Sequence, residues 1–179
     1  FFDKDYLSDV KIQILIDNRS AAHTSRSNEA LFNIFYVRAL RESANPDAIR
    51  QSLKIVYKAQ LESKKQVTNA LNREEIEKIT LFKGGASLVF YRSAFSPVAD
   101  DHEQQLLYDL GGIMQLCNDI FDVYKDRETG VKTLVTETRS IGTLRKYVLE
   151  KLQAAFALAE RSPVPKKNIE GCLAIFNLG

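Results

Sequence analysis

The stretch DHEQQLLYDLGGIMQLCNDIFDVYKDRETG, from Asp101 to Gly130, limits what this chain can become more than any other. It reads as one long helix in which Leu106, Leu107, Leu110, Ile113, Met114, Leu116, Ile120, Phe121 and Val123 leave little of the circumference polar. A helix apolar almost all round belongs inside a bundle. Against that background stand Asn118, Asp119, Asp122 and Asp126. At ~100° per residue the three aspartates fall within roughly 60° of one another, with Asn118 at the edge of the sector. Like charges three and four residues apart cost about 0.2–0.5 kcal/mol per pair, and acids late in a helix oppose its dipole. Local rules therefore argue against the stripe, and a cation on that face is what would justify it. Unpaired carboxylates turned into an interior cavity raise their pKa values or recruit metal. Hard divalent cations such as Mg2+ take oxygen ligands, keep several waters and commonly complete their shell with substrate phosphates. The functional reading is a metal and diphosphate site; the plainer one is a solvated acidic edge on a surface helix.

Asn118-Asp119-Ile-Phe-Asp122-Val-Tyr-Lys125-Asp126, preceded by Leu110-Gly111-Gly112-Ile-Met-Gln115-Leu and followed by Gly130-Val-Lys132-Thr, resembles the second aspartate-rich motif of class I isoprenoid synthases. In the chain-elongating members that motif is an acidic pair, two residues, a third Asp, and a further Asp before a Gly-Lys turn. In terpene cyclases an Asn, a hydroxyl residue and a Glu sit at successive spacings of four. Asn118, Asp122 and Asp126 follow the second pattern and Asp119 and Asp122 the first, so both stay open. This match covers the central helix and the turn after it, and most of the remaining chain agrees with the family's fold only as helix pattern.

The resemblance implies an all-α, antiparallel helical bundle of the isoprenoid synthase type around a central cavity. It implies two or three Mg2+ ions and a prenyl diphosphate substrate. Asp119, Asp122 and Asp126 would hold metal with Asn118 beside them, and Asp119, Asp122 and Lys83 would carry the chemistry. Lys83-Gly84-Gly85 resembles the Lys and small residues that meet diphosphate in the chain-elongating members, and Arg92 is a weaker phosphate candidate. Lys125, Arg127 and Lys132 flank the acids and would meet further diphosphate oxygens, although basic residues late in a helix also complement its dipole. Phe1-Phe2-Asp3 would be the end of the family's first acidic motif, with Asp3 the surviving ligand; the plainer reading is an acid near a terminus. Phe, Leu and Tyr side chains would line a hydrocarbon pocket.

Composition excludes other classes. The 179 residues suffice for one domain, 1–179, expected to be the C-terminal portion of a longer chain because it begins at Phe1 without a methionine. A net charge of +2, with no basic run interleaved with aromatics, gives no footprint for nucleic acid. Cys117 and Cys172 show no metal-ligand spacing and read as small buried hydrophobes in a reducing compartment. No apolar run approaches the ~18 residues of a transmembrane helix, and no signal series opens the chain, so a cytoplasmic protein is expected. A homodimer is among the arrangements left open.

The remaining sequence reads as helices. The first eighteen residues start one at Ser8, and Arg19–Asn45 carries a second after Ser27-Asn28, with His23 in its polar lead-in. Asp47–Leu71 spaces Ile49, Leu53, Val56, Tyr57 and Leu61 on one buried face. Lys54, Lys58, Lys64 and Lys65 form a solvated one, while Gln60 and Ser63 either join it or edge a polar cavity. Asn72 and Glu75 have the form of a capping box, and Asp100-Asp101 with Gln104 gives another capping pattern, leaving His102 in a surface first turn. The pairs Gly84-Gly85 and Gly111-Gly112 either leave room for ligand or pack two helices tightly. Gly130 is a C-cap by type, Leu144, Val148, Leu152 and Phe156 mark a core helix, and Pro163 and Pro165 separate it from a short last helix over Ile169–Leu178. Three function classes fit: an isoprenoid synthase, a non-catalytic relative that binds prenyl lipid or diphosphate, and a helical interaction domain whose acidic stripe is incidental.

Overall fold

A computed structural model describes residues 27–68, 70–96, 98 and 100–161, together with Ile12, Ile16 and Asp17. Asp3, Ser8, His23, Pro163, Pro165, Cys172 and the short last helix lie outside the described residues. Those described form helices α1 (Ser27–Glu42), α2 (Pro46–Ser63), α3 (Lys65–Thr68), α4 (Arg73–Phe95), α5 (Asp101–Phe121), α6 (Val123–Thr129) and α7 (Ile141–Glu160), with no strand among them. None of these helices is long and apolar enough to cross a membrane.

Polar residues set the helix ends. Pro46 opens α2 at its first turn, where its missing N–H costs nothing, and Asn45 accepts from the Ala48 amide at 3.2 Å. Asn72 and Glu75 close the expected capping box in both directions, at 3.0 and 2.8 Å. Of the pair Asp100-Asp101 expected to open α5, Asp100 is the cap and accepts from Glu103 N at 2.8 Å. Gly130 ends α6 in the left-handed region at φ 72°.

The axis of the molecule is the pair α4 and α5. Leu81 lies against Gly112, Gly84 against Gly111, Gly85 against Tyr108, and Arg92 against Glu103, so these two helices run antiparallel. A Cβ on Gly84 would stand 2.0 Å from the Gly111 carbonyl oxygen, and one on Gly111 would stand 2.3 Å from that of Gly84. Gly84 and Gly111 are thus consumed by backbone-to-backbone contact, while Gly85 takes the Tyr108 ring and Gly112 the Leu81 side chain, and of the two readings left open tight packing is the one realised. On one side of this pair α1 and α2 build a core from Tyr36, Leu40, Ile49, Leu53 and Phe90. Tyr36 is fully buried there, its hydroxyl donates to Ile16 O at 2.6 Å, and burial pushes its pKa up to about 12. On the other side Leu110 and Ile113 pack on Ala155 of α7.

Four expectations need correction. The central helix is interrupted at Asp122 (φ −88°, ψ 5°), although the hydrogen bonds Asp122 N to Asn118 O and Asp126 N to Asp122 O, both 2.9 Å, run through the break. The helix is also not enclosed on every side, because Met114, Phe121 and Tyr124 are exposed. So is Cys117, which lies about 100° round the helix from the buried Leu116 and is no core residue. Finally, α7 is a half-buried flank: only Ala155 and Ala159 are buried, and Leu144, Val148 and Leu152 pack with one side covered.

Candidate functional site

One turn from the glycine crossing, α4 and α5 part to form one wall of a cleft of about 480 Å³. The end of α2 with α3 lines it as well, and Val131 and Thr133 complete the border. The 131–133 segment is held by Gln66, 6% exposed, whose Nε2 donates to Lys132 O at 2.8 Å while Lys132 N donates to Gln66 O at 2.9 Å. Thr133 and Thr136 exchange backbone-to-hydroxyl bonds of 2.8 and 3.1 Å and stiffen the turn behind it.

Asn118, Asp119, Asp122, Asp126, Lys83 and Lys125 all line this cleft. Asp119 is its most buried acid, 5% exposed, and Gln115 Nε2 donates to its Oδ1 at 2.8 Å. Burial pushes the Asp119 carboxyl up to about 6; Gln115 and Lys83 pull the other way, and Asp126 and Asp122 add to the rise. Asp126 is also raised, by burial and then by Asp122, against the pull of Lys125 and Lys83. Asp122 lies 3.6 Å from Lys125 Nζ, and Asn118 Nδ2 donates to it at 3.4 Å. The acidic stripe thus lines a half-open cleft beside lysines, with Asp119 buried, Asp122 and Asp126 half-buried and Asn118 exposed.

Other candidate residues lie elsewhere. Arg92 Nε donates to Glu103 Oε1 at 2.8 Å and its Nη1 to Ser96 O at 2.7 Å, so it ties the α4–α5 turn. Arg92→Ala is expected to cost about 1–2 kcal/mol in a denaturant melt while leaving divalent-cation affinity unchanged. Arg127 is exposed and off the cleft, and Lys132 bonds through its backbone to Gln66 on the cleft lining. Asp3 is not among the described residues. His102 Nε2 lies 3.0 Å from Leu158 O, a contact between α5 and α7.

The structure adds residues that sequence reasoning passed over. Lys64, read as solvated, lines the rim, and Gln60 and Ser63 take the cavity-edge alternative. Gln66, Thr80, Gln115 and Thr133 complete the lining. Thr80 and Gln115 had a usable signal, since they fall three residues before Lys83 and four before Asp119, on the same helix faces.

The donor set suits a hard cation. Every candidate ligand offers oxygen, and two further buried oxygens on the cleft, Gln60 Oε1 and Thr80 Oγ1, have no hydrogen-bond partner. Among the described residues no three acids are grouped about one point, so a cage made wholly of protein does not fit. A cation held by one or two carboxylates, waters and a phosphate does. Of the lining residues only Val67 and Val131 are apolar, and none of the Phe, Leu and Tyr side chains expected of a hydrocarbon pocket lines this cleft. Comparison with protein-family models, curated proteins and solved structures returns no match.

Proposed function

We propose that this chain belongs to an isoprenoid biosynthesis enzyme that uses Mg2+ to ionise an allylic prenyl diphosphate, by chain elongation, head-to-head coupling or cyclisation. The observation that carries the reading is the buried Asp119 carboxylate on a polar cleft shared with Asp122, Asp126, Lys83 and Lys125. The antiparallel packing of α4 on α5 and the helical class agree with a bundle of the isoprenoid synthase type. In this reading Asp119, Asp122 and Asp126 hold the cations, with Asn118 assisting. Lys83 and Lys125 meet diphosphate oxygens and stabilise the charge that builds on them as the carbon–oxygen bond breaks. Bound Mg2+ supplies Lewis-acid neutralisation of the departing diphosphate.

Full-length protein incubated with Mg2+ and geranyl, farnesyl or geranylgeranyl diphosphate is expected to release pyrophosphate, and product masses will separate elongation, coupling and cyclisation. The polar lining of the cleft also suits a non-catalytic diphosphate-binding protein. Tight Mg2+-dependent binding without release would establish that second reading. Neither binding nor release would sink both.

A further inference from the structure

Among the described residues, two polar groups at the cleft find no hydrogen-bond partner. Thr80 is 1% exposed, and its hydroxyl has no hydrogen-bond partner. The amide oxygen of Gln60 is cut off from solvent and likewise unpartnered. The two come from different helices, α4 and α2, yet both line the space occupied by Asp119 and Lys83. Buried polar atoms are nearly always satisfied, so such a pair marks where something with complementary hydrogen bonding belongs.

The chemistry of that something follows from the atoms. Gln60 Oε1 can only accept, and the Thr80 hydroxyl can accept as well as donate. Diphosphate oxygens are acceptors and would face Gln60 Oε1 without a proton between them. A prenyl chain would leave both oxygens unpaired. Water bound to a divalent cation is different: its lone pairs are turned to the metal and its hydrogens point outward, so it is a donor that needs acceptors around it. Mg2+ keeps several such waters even when carboxylates bind it.

We propose that Gln60 and Thr80 form an outer-sphere seat for a hydrated divalent cation, accepting hydrogen bonds from its bound waters while the neighbouring Asp119 supplies the negative charge. The proposal rests on the cation reading of this cleft and assigns it residues beyond the acidic stripe. Partners outside the coordination sphere orient what binds the metal, and removing one typically weakens affinity about 10–100-fold.

The test uses the full chain and Mn2+ as a spectroscopically visible stand-in. Thr80→Val keeps the shape and removes the hydroxyl, Gln60→Met removes the amide oxygen, and Thr80→Ser and Gln60→Glu each retain an acceptor. The expected result is about tenfold weaker Mn2+ binding in Thr80→Val and Gln60→Met, with affinity kept in Thr80→Ser and Gln60→Glu and thermal melts showing that all four fold. Hexaamminecobalt(III), whose inert ammine ligands also only donate, is expected to displace Mn2+ from the native protein and to do so poorly in Thr80→Val. If Asp119→Asn alone abolishes Mn2+ binding while the Thr80 and Gln60 variants match the native protein, the seat is overturned and the cation site stands. If the native protein binds no Mn2+ at all, with or without pyrophosphate, both fall together.

Discussion

Asp119→Asn is expected to lower Mg2+-dependent pyrophosphate release about 10²–10³-fold, the usual cost of removing one charge-stabilising group from an active site, and to make the metal-free protein more stable. The second effect follows from burial. Folding lifts the Asp119 carboxyl from its ordinary 3.8 to about 6 because the charged form is taken out of water. Below about pH 4 the group is neutral in both states and costs nothing. Between about pH 4 and 6 the native protein holds the proton more tightly than the unfolded chain, so stability falls as pH rises through that window and levels off above it. The full difference is about 3 kcal/mol at neutral pH, and asparagine removes it while still accepting the hydrogen bond from Gln115. Melting curves of the native protein and the Asp119→Asn variant should therefore coincide near pH 4 and differ by about 5–10 °C at pH 8 without divalent cation. A coincident pair at pH 8 would show that the carboxylate is not desolvated.

Gly84→Ala carries the second large effect, and here helix propensity and packing oppose each other. Alanine is favoured over glycine in a helix interior by about 1 kcal/mol. The added methyl, however, would lie 2.0 Å from the Gly111 carbonyl oxygen and 2.8 Å from Gln115 Cβ, and a backbone carbonyl cannot swing aside as a side-chain tip can. Separating α4 from α5 to admit it costs about 3 kcal/mol or more and disturbs every contact along the pair. A fall in melting temperature of about 10 °C is expected, with weakened cation binding because Lys83 and Asp119 move apart on their respective helices. Unchanged melting would mean that the crossing is looser than these distances require.

Some of this was readable from sequence and some was not, for physical reasons. The acidic stripe was visible because helical period alone decides which residues share a face, and Asp119, Asp122 and Asp126 line one cleft as that period requires. The glycine pairs stayed ambiguous because a missing side chain looks the same whether its space is taken by a ligand or by another backbone. Arg92 was read as a phosphate contact because its partner Glu103 lies across a turn, beyond what one helix wheel displays. Lys64 is exposed, as a solvated lysine should be, and its place on the cleft was hidden because it follows the last residue of α2, where the solvated face of that helix gives way to the cleft rim. Cys117 and Met114 show that an apolar helix is buried only as far as its neighbours reach.

The clasp between Gln66 and Lys132 joins positions 66 residues apart, whereas α4 and α5 are neighbours in sequence joined by a short turn. Closing a long loop is entropically harder than zipping adjacent helices, so the helical hairpin is able to assemble first and the clasp only afterwards. A half-folded chain would then carry its carboxylates on a finished hairpin that still lacks a lid, and the competent hollow is the last thing to come into being.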